Sequence, residues 1–418
     1  MHAWRPWAPL ELYGQQGDAW GKGQDKGQEG DPVRDALKRR LRHGRFPWKR
    51  ECYDIDPRVL FDRLKSTPLD EMVSLKTNAL QIPDPRYFFG GSPLLIMEIL
   101  VEHFDMDPLP DFFTEEARMA ACVKGHPSPL ALWLQCSRQA WSYPKTKMLL
   151  DMACDLWHGD THQERNVLAH RDPASFYLRE AVYKIAKECT QFKVSQARAL
   201  MEILSKNFLN LPTGQRLHVL DPCGGWGDRL LGALATEVAL YVAIDPNTAL
   251  HTGYRAMCEQ FQTPGTSVTL LPHPFEDCLM EDLRMPLRAL LPTSQGYDLV
   301  FTSPPFASFE LYVLNDSTKC QSSQRHPHRW AELWLFPAVR RMCRLLRPGG
   351  VLALYIMDTY VESYCQRLLT ELEKLIPPEE EDEAAHIQMK YLGIIWCTRR
   401  DRARPLWLWR RLCEAEQP

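Results

Sequence analysis

The stretch 217–245, LHVLDPCGGWGDRLLGALATEVALYVAID, constrains the fold more than any other part of the chain. An apolar run ends at Leu220 and is followed by the segment 221–227, which is too rich in glycine for a helix or strand. A helix with an apolar stripe begins at Asp228, whose carboxylate is a candidate cap. A second apolar run, 239–244, ends at Asp245. The order strand, glycine turn, helix, strand predicts an α/β fold with a Rossmann-like parallel sheet.

This arrangement suits a nucleoside ligand. Gly225 and Gly227 allow a ligand to approach the backbone closely. Asp245 follows the second strand, where a carboxylate accepts hydrogen bonds from both ribose hydroxyls. The candidate cofactor-binding residues here and in the following segments are Asp221, Cys223, Gly225, Gly227, Asp245, Asn247, Glu276 and Asp277.

The glycine spacing argues against a dinucleotide. The segment differs from G-x-G-x-x-G, since Asp228 and Arg229 follow Gly227, and the acid Asp221 precedes the glycines. A carboxylate at Asp221 would repel a pyrophosphate, but it can pair with an ammonium group or bind it through water. The pattern therefore favours S-adenosylmethionine, which carries an amino acid and no phosphate. The alternative is a tight turn without a ligand.

A second motif follows another apolar run. Residues 297–302 are predicted to form a buried strand, and Ser303-Pro304-Pro305-Phe306 comes directly after it. Two prolines cannot continue a central strand, because they lack N–H donors and fix φ. The chain must leave the sheet at the carboxyl end of the strand, where ligands bind in folds of this type.

Residues 303–306 resemble the (Asp/Asn/Ser)-Pro-Pro-(Tyr/Phe/Trp) motif of amino-methyltransferases, and 221–227 resembles their cofactor loop. Across 192–411 the chain is similar to DNA methylase-like proteins of phages and large viruses, which also share Glu310, Tyr312, Gln321, Ser322 and Trp330. The resemblance implies a seven-stranded class I methyltransferase sheet, S-adenosylmethionine as cofactor and methylation of an exocyclic amine.

The resemblance makes Ser303, Pro304, Pro305 and Phe306 the candidate catalytic residues. The serine hydroxyl and the Pro304 carbonyl can accept hydrogen bonds from the amine, and Phe306 can stack on the base. Serine in the first position favours cytosine N4 of DNA, with adenine N6 as the alternative. RNA bases, protein amides and a non-catalytic binding protein remain open. An NAD-dependent oxidoreductase is disfavoured by the glycine spacing.

Two further segments are expected beside the cofactor. Residues 268–271 form the predicted third strand, and an acid after it commonly accepts the adenine amino group in this fold. Asp277 is the preferred candidate, with Glu276 as the alternate and a helix N-cap as the other explanation. Phe192 and Ser195 lie between two predicted helices and resemble the segment that lines the methionine pocket. Ser195 is also a plausible N-cap.

The predicted domains follow composition and periodicity. Residues 1–31 are expected to be disordered, because 11–31 contains almost no aliphatic side chains. Residues 32–170 form a mainly helical accessory region, with apolar helical stretches at 94–104 and 130–134. Residues 171–418 form the methyltransferase domain, ending in a predicted hairpin, and 307–329 is an active-site loop that contains Arg325, His326, His328 and Arg329.

The basic segment 34–50 carries eight Lys and Arg against one acid, Asp35, in a chain of net charge −3. It is either an arm that contacts the phosphates of nucleic acid, with DNA the expected partner, or an import signal, or the solvated face of a helix.

The 13 cysteines contain no C-x-x-C pair, the histidines lack ligand spacing, and we expect no metal. Reduced cysteines, with no membrane-spanning run and no signal peptide, predict a soluble intracellular protein of cytoplasm or nucleus.

Overall fold

A computed structural model describes residues 31–52, 55–76, 95–101, 106–159, 172–186, 189–305, 310–312, 329–358, 363–377, 386–399 and 402–413. The helices are α1 Pro32–Arg42, α2 Lys49–Cys52, α3 Pro57–Ser66, α4 Leu69–Met72, α5 Asp111–Ala120, α6 Pro129–Arg138, α7 Pro144–Gly159, α8 Pro173–Ala186, α9 Val194–Phe208, α10 Asp228–Thr236, α11 Thr248–Phe261, α12 Met280–Leu290, α13 Phe336–Leu345 and α14 Cys365–Glu373. The strands are β1 Val73–Lys76, β2 Leu95–Val101, β3 Cys122–Val123, β4 His218–Asp221, β5 Leu240–Ile244, β6 Ser267–Leu271, β7 Tyr297–Thr302, β8 Glu310–Leu311, β9 Leu346–Tyr355, β10 Met389–Arg399 and β11 Arg402–Arg411.

One large sheet organises the described residues, in the order β1-β2-β10-β11-β9-β7-β4-β5-β6. Strands β6, β5, β4, β7 and β9 are parallel to one another, whereas β11 runs antiparallel to both β9 and β10. The sheet has nine strands rather than the predicted seven, because β1 and β2 of the amino-terminal region extend its edge. The predicted α/β class is confirmed.

The predicted βαβ unit is present as β4, α10 and β5. Helix α10 begins at Asp228, as the apolar periodicity indicated. The expected cap is wrong: Gly227, at φ 88°, is the N-cap residue, and no side chain caps the helix. The Asp228 carboxylate lies one residue inside the helix, where the positive end of the dipole still favours it.

The secondary structure of residues 94–104 differs from the prediction. The sequence predicted an apolar helix, but residues 95–101 form β2, which pairs in parallel with β10 and antiparallel with β1. A short run of Leu and Ile fits a buried strand as well as a helix, so the open edge of β10 decides its conformation. The Thr398 hydroxyl donates to Glu98 Oε1 at 2.8 Å across this junction. Strand β2 thus joins the accessory region to the sheet.

The described part of 32–159 contains helices α1 to α7 as well as strands β1 to β3. Its helices α6 and α7, with α1 and α8, enclose a separate apolar cluster around Trp133 and Leu150. The prediction of a helix at 130–134 is confirmed by α6. Of the segment predicted to be disordered, 1–30 lies outside the described residues, and Asp31 caps α1 by accepting from Val33 N at 3.0 Å.

The basic segment 34–50 contributes α1 and α2, and many of its cations contact carboxylates. Arg34 pairs with Asp151 at 2.7 Å, and Arg50 pairs with Glu116 at 2.7 Å. Lys49 pairs with the fully buried Asp111 of α5. These contacts favour the helical interpretation, whereas Arg39, Arg42 and Arg45 are exposed.

Predictions for the carboxyl-terminal half agree well with β5, β6 and β7. Residues 347–350 interrupt the pairing of β9 with β7, because the partner of Tyr297 is Leu346 whereas the partner of Leu299 is Val351. After Trp330, a π-helical turn at Ala331–Leu335 leads into α13.

No helix within the described ranges is long and apolar enough to cross a membrane. Eleven cysteines in this part of the chain are free thiols. The same residues contain no group of three or more His, Cys, Asp or Glu side chains that could hold a metal ion.

Candidate active site

A cavity lies at the carboxyl ends of β4, β5 and β7, where the sheet topology places a ligand. Most of the predicted site residues line it: Cys223, Gly225, Asp245, Asn247, Glu276, Ser303, Pro304 and Pro305. Three predicted residues within the described ranges are not among the lining residues, namely Asp221, Gly227 and Asp277. Phe306, Gln321, Ser322, Arg325, His326 and His328 lie outside the described residues.

Asp245 directly follows β5 and lines the cavity. Its Oδ2 accepts from Gly225 N at 3.0 Å, and its Oδ1 accepts from Asn247 N at 2.9 Å. These two backbone donors fix the carboxylate in place. Burial raises the pKa of Asp245 to about 7, despite the two N–H donors that favour its ionised form. Each oxygen keeps acceptor capacity for a further donor.

The glycine loop is held rigidly beside Asp245. Gly225 and Gly227 have φ of 64° and 88°, which side chains rarely adopt. A Cβ at Gly227 would lie 2.7 Å from Met257 Cε, so a side chain there would require the end of the Met257 side chain to shift. The Tyr254 hydroxyl donates to the Gly225 carbonyl. The loop therefore presents fixed backbone to the cavity.

Asp221 contacts other protein side chains and is not among the residues that line the cavity. Its carboxylate is fully buried and accepts from Arg229 Nε at 2.8 Å, Tyr241 OH at 2.6 Å and Thr302 Oγ1 at 2.8 Å. The Arg229 charge compensates that of Asp221, which explains how a buried carboxylate can precede the loop. The ammonium contact proposed from the sequence stays a prediction, and Asp221 would have to give up a protein donor to make it.

The structure adds polar groups that the sequence did not single out. Asp228 is 2% exposed, lines the cavity, and its Oδ1 has no hydrogen-bond partner among the described residues. Burial raises its pKa to about 7. Gln191 and Gln196 line the same cavity, and their buried Nε2 atoms have no hydrogen-bonding oxygen or nitrogen within the described chain. Buried polar atoms normally have partners, so these three atoms are candidates for contact with a ligand.

The segment before α9 lines the same cavity with Thr190, Gln191, Phe192 and Lys193. The Phe192 ring packs edge-to-face on Tyr355, with centroids 4.8 Å apart. The N-cap assignment of Ser195 is wrong, because Lys193 occupies that position. Asp107 of the accessory region caps the helix instead, accepting from Ser195 N at 3.3 Å and Ser195 Oγ at 2.7 Å. This contact holds the wall against the rest of the fold.

The acid that faces the cavity after β6 is Glu276. Its Oε2 accepts from Trp334 Nε1 at 2.7 Å, which holds the side chain at the cavity wall. The preferred candidate, Asp277, is exposed and does not line the cavity. Both residues lie in one 3₁₀ turn, Phe275–Asp277, in which neighbouring side chains diverge. Sequence spacing could not choose between them.

Ser303, Pro304 and Pro305 leave the sheet where β7 ends at Thr302. Pro304 and Pro305 are buried and Ser303 is half-buried, and all three line the cavity with Asp245. The Thr302 hydroxyl donates to Asp221 Oδ1, which links the end of β7 to the end of β4. The two motifs recognised in the sequence therefore share one cavity.

Residues 310–312 close one side of that cavity. Glu310 is 2% exposed and accepts from Thr190 N at 2.8 Å and Thr190 Oγ1 at 2.6 Å. Its other oxygen accepts from Tyr312 OH at 2.7 Å. The Tyr312 ring lies edge-to-face on Trp226, with centroids 5.4 Å apart. The chain that follows residues 303–306 is thus tied to the glycine loop.

Charged side chains of both signs line the cavity. Four carboxylates of the described residues line it, from Asp228, Asp245, Glu276 and Glu310. The lining cations are Lys193, Arg229, which pairs with Asp221, and Arg404. Because Asp228 and Asp245 have pKa values of about 7, the lining carries charges of both signs without a strong excess of either at neutral pH.

No protein-family model and no curated protein matches the sequence. Among solved structures, the chain is similar to a SAM-dependent O-methyltransferase from Thermotoga maritima, with 12% identity over 55% of this chain and 70% of that chain and a TM-score of 0.31. It is also similar to the CurJ carbon methyltransferase, with 10% identity over 91% of each chain and a TM-score of 0.34. A putative methyltransferase complexed with SAH has 10% identity over 53% of this chain and 52% of that chain, with a TM-score of 0.32. Because these scores are low, the function proposed below rests on the cavity itself.

Proposed function

We propose that the chain is an S-adenosylmethionine-dependent methyltransferase that methylates an exocyclic amino group of a nucleobase, at cytosine N4 or adenine N6 of DNA. One observation carries the proposal: the ribose-type acid Asp245 and the run Ser303-Pro304-Pro305 line the same cavity. Their residue types agree with the amino-methyltransferase motifs noted in the sequence. In this proposal a cofactor site and an amine site would lie together at the carboxyl ends of neighbouring strands β4, β5 and β7.

The lining offers a partner for each part of this cofactor. Asp245 would hold the ribose hydroxyls. Asp228 would face the ammonium of the amino-acid end, and Gln191 and Gln196, beside Lys193, offer donors to its carboxylate. The lining carboxylates, where ionised, would attract the cationic sulfonium. When bound, S-adenosylmethionine supplies an electrophilic methyl group.

The chain's own contribution to the chemistry is to position the amine. The lone pair of an exocyclic amine is delocalised into the base, so acceptors for its N–H groups make the nitrogen more nucleophilic. The Ser303 hydroxyl and the Pro304 carbonyl are those acceptors in our proposal. Pro304 and Pro305 restrict φ and are buried, which keeps the carbonyl preorganised. No base is needed beforehand, because the methylated ammonium loses its proton readily.

The nucleic-acid substrate is proposed from the motif and from its stacking residue. Phe306 follows the two prolines and would stack on the target base, a contact of about 1–3 kcal/mol in single-stranded complexes. In a duplex the base would have to flip out of the helix to reach a buried cavity. The exposed cations Arg39, Arg42 and Arg45 of segment 34–50 are the proposed backbone contacts, and we place the protein where DNA is present, in cytoplasm or nucleus.

The test is incubation of the full chain with methyl-labelled S-adenosylmethionine and, separately, DNA, RNA and protein extract. Label in DNA that elutes as N4-methylcytidine or N6-methyladenosine deoxynucleosides after digestion is the expected result. Label confined to RNA or protein would keep the methyltransferase and remove the DNA substrate. Absence of cofactor binding by calorimetry would reject the enzyme and leave a non-catalytic binding protein.

A further inference from the structure

Helix α5 of the accessory region contacts the glycine loop 221–227. The Thr114 side chain on this helix is 3% exposed, and its hydroxyl donates to the Trp226 carbonyl at 2.8 Å. The Pro110 carbonyl, at 3.1 Å, is the more distant of two acceptors for the same hydroxyl. Trp226 lies between Gly225 and Gly227 and lines the active-site cavity. A side chain of the accessory region therefore holds the backbone of this loop.

The backbone of α5 lies directly against α11, which contacts the same loop. A Cβ at Gly253 of α11 would lie 2.6 Å from the Phe113 carbonyl oxygen and 2.7 Å from Thr114 Cγ2. The next residue of α11, Tyr254, donates its hydroxyl hydrogen to the Gly225 carbonyl. Two helices in direct contact thus hold two carbonyls of the glycine loop, one from each region of the chain.

Buried polar contacts anchor α5 within the accessory region. Asp111 accepts from Arg118 Nε and Nη2 at 3.0 and 2.6 Å, and it also pairs with Lys49. Glu115, which is 3% exposed, accepts from Tyr183 OH at 2.6 Å. Buried charges require well-placed partners, and displacement of the helix would separate these pairs. The contacts therefore fix the position of the helix from which the loop is held.

We propose that Thr114 is a positioning residue for the glycine loop, so that the accessory region forms part of the cofactor site. The loop contains three glycines, and glycine adopts many backbone conformations, so external contacts are needed to keep one of them. The peptide group between Trp226 and Gly227 is planar, and a donor at its carbonyl fixes the orientation of the whole group.

The same loop carries the donor that orients Asp245, since Gly225 N donates to Asp245 Oδ2 at 3.0 Å. Movement of the loop would therefore displace both the backbone beside the cofactor and the proposed acceptor of the ribose hydroxyls. Thr114 itself does not line the active-site cavity, so its effect on a ligand must pass through the loop. The inference rests on the binding of S-adenosylmethionine proposed above.

The experiment compares two substitutions in the full chain that remove different groups of the Thr114 side chain. T114V removes the hydroxyl donor and keeps the methyl group beside Gly253, whereas T114S keeps the donor and removes that methyl group. We expect T114V to weaken S-adenosylmethionine binding about tenfold in calorimetry, because the Trp226 carbonyl loses its donor, and T114S to bind like the parent. T146V is the control, since it removes another buried hydroxyl of the accessory region, which donates to the Cys136 carbonyl at 3.5 Å.

Hydrogen–deuterium exchange of residues 222–228, measured without cofactor, tests the loop directly. We expect faster exchange in T114V than in the parent, T114S or T146V, because the bond from Gly225 N to Asp245 opens more often. Parent-like exchange and affinity in T114V would overturn the proposal.

Weak binding by T114S with normal binding by T114V would also overturn it, because packing of the methyl group on α11 would then account for the effect. An equal loss of affinity in T146V would do the same, since general destabilisation of the accessory region would be the cause. If the parent binds no S-adenosylmethionine, the function proposed above fails, and the exchange rates alone decide whether Thr114 positions the loop.

Discussion

The carboxylate of Glu310 accepts two hydrogen bonds from Thr190, from the backbone N–H at 2.8 Å and from the hydroxyl at 2.6 Å. The two residues are 120 positions apart, and each belongs to a different wall of the active-site cavity. Trp226 Nε1 donates to the Thr190 carbonyl at 3.1 Å, so the glycine loop joins the same network. The residues just after the Ser-Pro-Pro run are thereby fixed relative to the cofactor loop.

Replacing Glu310 with Ala should lower methyl transfer more than cofactor affinity, because it releases the chain that follows the amine site. The unpaired Thr190 N–H alone costs about 1–3 kcal/mol, so thermal stability should also fall. Tyr312→Phe is the matched control, since it removes the 2.7 Å bond to Glu310 and keeps the bonds between Glu310 and Thr190. Turnover and calorimetric affinity should be measured for both. Equal turnover in Glu310→Ala and the parent would contradict a positioning role.

Cofactor affinity should rise with pH because Asp245 has a pKa of about 7 in the ligand-free protein. Hydroxyl donors favour the ionised carboxylate, which is about one tenth populated at pH 6 and about nine tenths at pH 8. Affinity for S-adenosylmethionine should therefore increase up to about tenfold across that range. The raised pKa also means that protonated Asp245 stabilises the folded protein. Its contribution to the free energy of unfolding is complete below about pH 4 and is lost as the pH rises through 7.

Asp245→Asn should weaken cofactor binding by about 1.5–3 kcal/mol and remove its part of the pH dependence. Asp228, whose pKa is also about 7, requires its own control. In Asp228→Asn the part of the pH dependence that comes from Asp245 should persist. The double variant should bind S-adenosylmethionine weakly at every pH. Calorimetry from pH 6 to 8 separates the two carboxyls. A parent protein whose affinity does not change over this range would refute the assignment.

The basic segment should contribute to DNA affinity through its exposed cations only. Arg39→Gln with Arg42→Gln should reduce the slope of log affinity against log salt by about 0.9 for each DNA phosphate that the variant no longer neutralises. Arg58→Gln, which is exposed on α3, is the control with the same chemistry. Fluorescence anisotropy with a labelled duplex gives the slopes. Identical slopes in all three proteins would leave the helix-face and import-signal interpretations of the segment.

Local sequence patterns predicted the central strands because those segments are apolar and bounded by strong signals. The glycines after β4 and the prolines after β7 each terminate a buried strand, and both boundaries are confirmed. Strand β2 was missed because its apolar run has no distinguishing period. Its conformation depends on the distant edge of β10, which no local pattern reveals.

At the candidate active site, too, local patterns predicted some features, and contacts between distant elements decided others. Asp245 was predictable because an acid at the end of a second strand faces the ligand by topology. Helix α9 is capped by Asp107, a residue from a distant part of the chain, and Asp221 is paired with Arg229. Both features depend on contacts between separate elements. Asp228 was interpreted as a cap from its position before an apolar helix. Only its burial and its unpartnered oxygen showed that it faces the cavity.

Substitutions at Ser303 and Pro305 should lower the rate of methyl transfer more than they lower the affinity for the cofactor. Ser303→Ala removes one acceptor for the amine, and Pro305→Ala frees the φ angle that helps to hold the Pro304 carbonyl. Loss of a single preorganised hydrogen-bonding group typically lowers turnover by about 10²–10³-fold. Ser294→Ala, in the distant loop before β7, is the control. Turnover is measured with labelled cofactor on the substrate identified above, and affinity by calorimetry. If Ser303→Ala and Pro305→Ala transfer methyl as fast as the parent, the amine site lies elsewhere in the cavity.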